Sequence, residues 1–326
     1  MLRREFVTGA FSILSSTVIA QRLKVWRIGH ILGAEGPERR QFQVLTTVAL
    51  EKRLAELGYV AGQNVAIEHH YHTLGTAGEA ALQAVAARND VLIVWSAARA
   101  VVVKKVAPDT PTVFLSVGDP VAIGLVQSLS HPGGNMTGVT FEGAMDAYGK
   151  RLSFLKEMVP ELTRVAVLRA ANDPNIVPAM ASLTPAAERL HVVLQPIEFT
   201  SEVDLEPAFS RAVSQGSQAL LVLAGALTSL AGKQIAALAL AHELPSSGPF
   251  RETVQDGGLV SYGPDFEEMA RQGALYLDRI MRGARPAELP VELPKRYETY
   301  LNLRTARTLG ITVPTTLLAT ADVVIE

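Results

Sequence analysis

The regular alternation of strand-like and helix-like stretches is the feature of this chain that most restricts its fold. Residues 26–32 (WRIGHIL) and 91–95 (VLIVW) are short apolar runs, whereas between residues 44 and 57 apolar side chains recur every three or four positions. The first pattern is typical of a strand covered on both faces, and the second of a helix with one buried stripe. Repeated alternation of the two predicts mostly parallel sheets wrapped by helices.

Runs of this kind predict eight strands. They cover residues 26–32, 64–71, 91–95, 112–116, 164–169, 192–199, 219–223 and 258–262. Asp119 followed by Pro120 has the form of a helix start, so we also expect a helix from there to about Leu129. The chain has 326 residues, and its alternating pattern starts again after a loop at residues 131–135. The sequence therefore predicts an α/β protein with two doubly wound parallel-sheet lobes joined near Thr140.

Composition and motifs exclude several functions. The 30 basic and 32 acidic residues nearly balance without a basic cluster, which argues against nucleic acid as a partner. The absence of cysteine excludes disulfides, thiol catalysis and cysteine-type zinc sites. Neither a glycine-rich phosphate loop nor a serine nucleophile elbow follows any predicted strand. We therefore predict no catalytic residue, no cofactor and no enzymatic activity.

The first 20 residues have the layout of a secretory signal peptide. Arg3 and Arg4 precede an uncharged stretch at residues 6–20, which ends with small residues at Ala20. The paired arginines also resemble a twin-arginine export signal. No later segment has the ~20 apolar residues of a spanning helix. We expect an exported, periplasmic protein that is cleaved near Ala20 and does not span the membrane; a frayed helix on a cytoplasmic enzyme is the alternative.

One histidine-rich run raises the question of a metal site. Glu68, His70 and His72 would share one face of the second predicted strand, which metal binding requires. The run ends the strand and has no fourth ligand nearby in the sequence. We favour a solvated strand end over a metal site.

The candidate ligand-binding residues follow from the predicted architecture. In open parallel sheets, ligands bind outside the carboxyl ends of the strands, and two facing lobes would bring these ends to one cleft. Some candidates have an alternative role that does not involve a ligand. For Ser96 and Asp119 this role is helix capping. For Tyr262 it is packing in the core, and for the turn at Phe250 it is a position on the surface. The predicted binding residues are Gly33, Ser96, Ala97, Asp119, Asn172, Gly225, Phe250 and Tyr262.

Short segments along nearly the whole chain point to one family. They are, in order, Arg3-Arg4-Glu5-Phe6 and residues 57–65 (LGYVAGQNV), 117–121 (VGDPV), 131–138 (HPGGNMTG), 257–265 (GGLVSYGPD), 309–314 (LGITVP) and 324–326 (VIE). In this order and spacing they resemble the ABC-transporter substrate-binding proteins with a type 1 periplasmic-binding fold. That group includes tryptophan- and tyrosine-import components.

The resemblance implies two lobes joined by a three-crossing hinge, so that each lobe is discontinuous. Lobe 1 would comprise residues 21–140 and 264–286, and lobe 2 residues 141–263 and 287–326. The implied function is a monomeric solute-binding component that captures a small aromatic or anionic molecule in the cleft. It would deliver that molecule to an ABC permease in the inner membrane. A ligand-sensing domain of the same fold and a doubly wound α/β enzyme are the alternatives.

Three turns differ from the pattern of the family. One of them is Arg169-Ala170-Ala171, which stands where relatives carry a turn of the aromatic-Asn-Pro type. Ser96-Ala97-Ala98-Arg99 stands where relatives carry a Gly-Thr or Gly-Ser pair before proline, and Ala224-Gly225-Ala226 stands where relatives often place an acid. A buried ammonium group without an acidic partner is unfavourable, which argues against a standard amino acid as ligand. Arg99 and Arg169 would suit an anionic ligand if they face the cleft; solvent-facing positions are the alternative.

Overall fold

A computed structural model describes residues 24–33, 40–71, 76–141 and 147–326. The predicted signal peptide (residues 1–20) and His72 lie outside these ranges. So does most of the first predicted crossing, which follows Thr140.

The first lobe is built on a five-stranded parallel sheet with the strand order β2-β1-β3-β4-β5. The central strand β3 is buried along its whole length, as its unbroken apolar run predicts. The sheet consists of β1 (Trp26–Leu32), β2 (Val65–Tyr71), β3 (Val91–Trp95), β4 (Thr112–Val117) and β5 (Met136–Thr140).

Helices cover both faces of this sheet. The helices of the N-terminal segment are α1 (Arg40–Glu56), α2 (Thr76–Arg88) and α3 (Ala97–Val106). Alternate residues of β3 point to opposite faces, so that Ile93 packs in one hydrophobic cluster and Val94 in another. Helices α2 and α3 cover the side of Val94, and α1 covers the side of Ile93.

The second lobe is built on a seven-stranded sheet with the strand order β12-β11-β10-β9-β8-β6-β7. All neighbouring strands in it are parallel except β10 and β11. Its strands are β6 (Arg164–Ala170), β7 (Val193–Phe199), β8 (Ala219–Val222), β9 (Ser246–Gly248), β10 (Val260–Pro264), β11 (Tyr297–Asn302) and β12 (Val323–Ile325). The helices along this part of the chain are α4 (Ala147–Met158), α5 (Ile176–Arg189), α6 (Leu205–Ser214), α7 (Ala226–Leu230), α8 (Gly232–Ala241), α9 (Arg251–Gln255), α10 (Phe266–Met281), α11 (Leu303–Thr308) and α12 (Thr315–Thr320).

Helix α10 returns to the first lobe. Asp265 caps it by accepting hydrogen bonds from the amides of Glu267 and Glu268. Met269 and Leu277 then pack in the same hydrophobic cluster as Ile93, beside α1. The chain thus leaves the first sheet after β5, returns to it between β10 and α10, and leaves again between α10 and β11. Among the helices that the structure describes, none combines the length and hydropathy that a membrane crossing needs.

The helix predicted from Asp119 to about Leu129 is wrong. The Asp119 carboxylate does cap the amides of Val121 and Ala122, at 3.0 and 2.9 Å. A single turn follows and stops at Gly124, whose φ of +75° is a helix-ending conformation. The rest of the segment is turns and irregular chain.

Candidate ligand-binding cleft

One cavity lies where the carboxyl ends of strands from both sheets face each other. It encloses about 610 Å³ when its open mouth is counted, of which about 60 Å³ is accessible to a water-sized molecule. The first lobe contributes the ends of β1, β3 and β4 and the starts of α3 and α10. The second contributes the segments around α5, β8 and β9. The lining residues are Leu32, Gly33, Trp95, Ser96, Arg99, Ser116, Asn175, Ala224, Gly225, Ala226, Ser229, Phe250 and Phe266.

Three aromatic side chains form the apolar wall of the cavity. The rings of Phe250 and Phe266 stack at a centroid distance of 6.0 Å and an interplanar angle of 22°. The Trp95 ring lies 6.4 Å from that of Phe266. All three are largely buried, and Phe250 comes from the second lobe whereas Trp95 belongs to the first. A flat apolar ligand would therefore contact both lobes at once.

A chain of hydrogen bonds holds Trp95 from behind. Its indole Nε1 donates to Nε2 of the fully buried His30 at 3.0 Å. Nδ1 of His30 lies 3.0 Å from Nδ1 of His69, and Nε2 of His69 lies 3.1 Å from a carboxylate oxygen of Glu51. Because an indole can only donate, neutral His30 carries its proton on Nδ1 and His69 on Nε2. Burial, with the neighbouring His69 and His70, lowers the pKa of His30 from 6.5 to about 3.

Ser96 adopts a backbone conformation that side chains rarely take. Its φ is +83° and its ψ is 148°, close to a region that is populated almost entirely by glycine. This bend ends β3 and starts α3, which places Arg99 at the third position of the helix. Arg99 is only 5% exposed, and its Nη1 donates to Ser96 Oγ at 3.1 Å. The turn thus presents a guanidinium group to the cavity.

The second lobe contributes a wall of small and uncharged groups. Ala224, Gly225 and Ala226 follow β8, and Ser229 lies one helical turn further on. A Cβ at Gly225 would lie 2.7 Å from Asp173 Oδ2, so any other residue here would displace that carboxylate. Burial raises the pKa of Asp173, and hydrogen bonds from the amides of Asn175 and Ala226 oppose that rise. Asp173 is not among the lining residues.

Two polar contacts connect the lobes beside the cavity. The amide of Gly118, after β4, donates to Asn175 Oδ1 at 3.0 Å. Arg251 in α9 forms an ion pair with Glu267 in α10 at 2.8 Å. Both contacts would be lost if the lobes moved apart.

Four of the predicted binding residues line the cavity, namely Gly33, Ser96, Gly225 and Phe250. The other four are not among the lining residues, and their role in binding remains a prediction. Ala97 is fully buried in the core, and Asp119 caps a turn. Asn172 is exposed, and Tyr262 stacks on Tyr297 at 5.1 Å.

The structure also settles where the two uncertain arginines lie. Arg99 faces the cavity, whereas Arg169 forms an ion pair with Glu198 at 2.7 Å and is not a lining residue. Sequence reasoning passed over Asn175, although it lies in the same turn as the predicted Asn172. It also passed over Trp95 and Phe266, because the sequence pattern around them indicates a core position in a strand and in a helix.

The histidine-rich run forms ion pairs instead of a metal site. His70 Nε2 lies 3.3 Å from a Glu68 oxygen, and that carboxylate also pairs with Arg88. Among the described residues, no group of three metal-ligating side chains is present.

Comparison with known proteins identifies the family. A sequence model described as "ABC transporter substrate binding protein" matches residues 44–325. The chain belongs to this family. This match confirms the predicted resemblance and, at the level of the family, the solute-binding function. The family is one of substrate-binding proteins rather than enzymes.

Three relatives of this ABC transporter substrate-binding protein show the extent of the similarity. A tyrosine-binding protein from Clostridioides difficile (strain R20291) is 25% identical over 264 residues, which cover 80% of this chain and 75% of that protein. A conserved domain protein from Vibrio cholerae has a TM-score of 0.82 at 24% identity, covering 92% of this chain and all of that one. An ABC domain from Streptococcus pneumoniae in complex with L-Trp has a TM-score of 0.84 at 21% identity, covering 93% and 100%. The predicted two-lobe fold is confirmed.

Proposed function

We propose that this protein captures a small aromatic solute between its lobes and delivers it to an ABC permease in the inner membrane. The observation that carries the proposal is that both lobes line the cavity, with Trp95 and Phe266 from the first lobe and Phe250 from the second. A ligand that touches both lobes favours the closed form by its additional contacts there. The permease recognises that closed form.

The relatives support an aromatic ligand. One is named for tyrosine binding, and another was solved with L-Trp. In this chain the three aromatic side chains provide a matching apolar wall, and Ser116, Ser229 and Asn175 supply polar groups. No step of chemistry is required of the site, and the protein acts as a monomeric binder without cofactor.

Export to the periplasm completes the proposal. Export through the twin-arginine route is supported by the basic pair Arg3-Arg4 and the uncharged stretch after it. Cleavage near Ala20 is supported by the small residues that end this stretch. Cell fractionation with intact-mass measurement tests this directly. A cytoplasmic product that keeps residues 1–20 would contradict it.

Ligand capture is tested by thermal-shift screening of the mature protein against aromatic amino acids, aromatic acids and nucleosides. A binder at 100 times its Kd should stabilise the fold by about 2.7 kcal/mol, a rise of roughly 4 °C for a chain of this length. Small-angle scattering should show a smaller radius of gyration on binding. A protein that stays the same size with every solute, or that converts one chemically, would refute the proposal.

A pair of variants in the second lobe locates the site. Asn175→Ala removes a lining side chain and its contact with Gly118, so we expect a loss of affinity of at least about 10-fold. The control Glu243→Gly alters an exposed residue of the same lobe whose φ is +55°, which glycine accepts, and should leave affinity unchanged. Equal losses in both variants would contradict this placement of the ligand.

A further inference from the structure

Trp95 lines the cavity with its ring, but its polar end points the other way. The indole Nε1 donates at 3.0 Å to Nε2 of His30, which is fully buried and is not a lining residue. We propose that His30 is a positioning residue for ligand binding, which fixes the Trp95 indole so that the solute meets the apolar ring and not the N–H. This inference rests on the proposed function and names a residue behind the cavity on which affinity at the same site depends.

The sheet of the first lobe places the two side chains side by side. His30 in β1 is paired with Ile93 in β3, so their side chains point to the same face of the sheet. Trp95 follows Ile93 by two residues and shares that face and its hydrophobic cluster. On its other side, His30 is paired with His69 in β2. The register of three neighbouring strands therefore brings His30 within reach of the indole.

His30 is itself held in the state that accepts a hydrogen bond. Its Nδ1 lies 3.0 Å from Nδ1 of His69, and Nε2 of His69 lies 3.1 Å from a Glu51 oxygen in α1. With an indole donor at one end and a carboxylate acceptor at the other, each imidazole donates toward Glu51. Turning the His30 ring over would break both of its hydrogen bonds. Burial also lowers the pKa of His30 to about 3, which keeps the ring neutral at the pH of a binding assay.

An indole without this acceptor would weaken ligand binding. The Trp95 ring lies 6.4 Å from that of Phe266, which stacks on Phe250 of the second lobe, so the three rings form one wall. A buried N–H that has lost its partner gains free energy by turning toward polar groups or water in the cavity. Only the fraction of molecules that keep the original orientation then offers the wall, and the apparent affinity falls with that fraction. The effect of His30 on binding therefore passes through Trp95.

The fixed orientation is tested first in the wild-type protein without a ligand. The chain has two tryptophans, so the variant Trp26→Phe identifies the indole signal of Trp95 in NMR spectra of protein with isotope-labelled tryptophan. We expect the indole proton of Trp95 to exchange with water at least about 100-fold more slowly than that of an exposed tryptophan. Exchange at the rate of an exposed indole would overturn the inference, whatever solute the protein binds.

Two variants of His30 then test the effect on affinity. The side-chain amide of His30→Gln reaches the position of Nε2 and can accept from the indole, whereas that of His30→Asn ends near Nδ1 and cannot. Calorimetry would use L-tyrosine, 3-phenylpropionate and adenosine as probes. For each probe that binds the wild type, we expect His30→Asn to weaken binding at least about 5-fold and His30→Gln to stay within about 2-fold of the wild type. Equal affinities in the two variants would overturn the inference.

A double-variant cycle separates positioning of the indole from general damage to the fold. Trp95→Phe has no N–H to position, so adding His30→Asn to it should cause no further loss of affinity. The same loss with and without the indole would overturn the inference. The control His131→Asn changes an exposed histidine and should bind like the wild type. If His30→Asn does not fold, or if no probe binds the wild type, the exchange rate of the indole proton decides the inference, whereas scattering with the wider panel judges the proposed function.

Discussion

Acidification should destabilise this protein through His30, the residue that holds Trp95 in the cavity wall. His30 is fully buried, accepts a hydrogen bond from the Trp95 indole and donates one to His69. Protonation would place a charge in the core and remove the acceptor for the indole. Burial therefore lowers the pKa of His30 from 6.5 to about 3.

The size of the effect follows from that difference in pKa. Between these two values the unfolded chain binds a proton at His30 and the folded chain does not, so the stability falls as the pH decreases. The contribution of His30 to stability is complete above its pKa in the unfolded chain and disappears as the pH falls to its pKa in the folded protein. Each unit of pKa difference corresponds to about 1.4 kcal/mol, and lowering the pH from about 7 to about 5 should cost about 2 kcal/mol.

Urea unfolding at several pH values between 5 and 7 measures this dependence. His30→Gln cannot titrate and should lose most of the slope, although its stability at neutral pH will also be lower. Burial also lowers the pKa of His70, which leaves a smaller slope of the same sign in that variant. His131→Gln changes an exposed histidine and should keep the wild-type slope. A wild-type protein equally stable at pH 5 and 7, or identical slopes with and without His30, would refute the reasoning.

Two further predictions concern the turns of the cleft. Ser96→Gly should be more stable than Ser96→Ala by about 1–2 kcal/mol in urea unfolding, because both lose the hydroxyl but glycine relieves the strained φ of +83°. At ordinary positions a glycine variant is less stable than the alanine variant. If Ser96→Gly is also less stable than Ser96→Ala, the strain argument is wrong. Gly225→Ala should cost about 1–3 kcal/mol by displacing the carboxylate of Asp173, which its Cβ would approach to 2.7 Å. The control Gly134→Ala meets no neighbouring atom and should unfold like the wild type; an equal loss in both would refute the steric explanation.

Strands with a long apolar signal could be predicted from the sequence, and strands without one could not. The run at residues 91–95 indicates a buried central strand because all five side chains are apolar, and β3 has those bounds. By contrast, β9 is Ser-Ser-Gly and is a strand only because β8 and β10 flank it. The helix predicted after Asp119 is a second example of what the sequence did not show. Asp119 and Pro120 are a good helix start, but the chain turns at Gly124 and the helix does not continue.

The cleft was predictable in position but not in composition. The carboxyl ends of the predicted strands indicate where it lies, and Gly33, Ser96 and Gly225 were found in that way. The orientation of Arg99 depends on the unusual φ of Ser96, which no propensity suggests for a serine. Trp95 and Phe266 lie at the ends of a strand and a helix, where an apolar side chain is expected in the core whether or not a ligand is present.

The path of the chain between the lobes has a consequence for its biosynthesis. The hydrophobic cluster of the first sheet needs Met269 and Leu277 from α10, which the ribosome makes only after β6 to β10. The second sheet in turn needs β11 and β12 from the C-terminal segment. Neither lobe can therefore complete its core early in translation, as a domain made of one continuous stretch would. Both lobes therefore become complete only when almost the whole chain has left the ribosome.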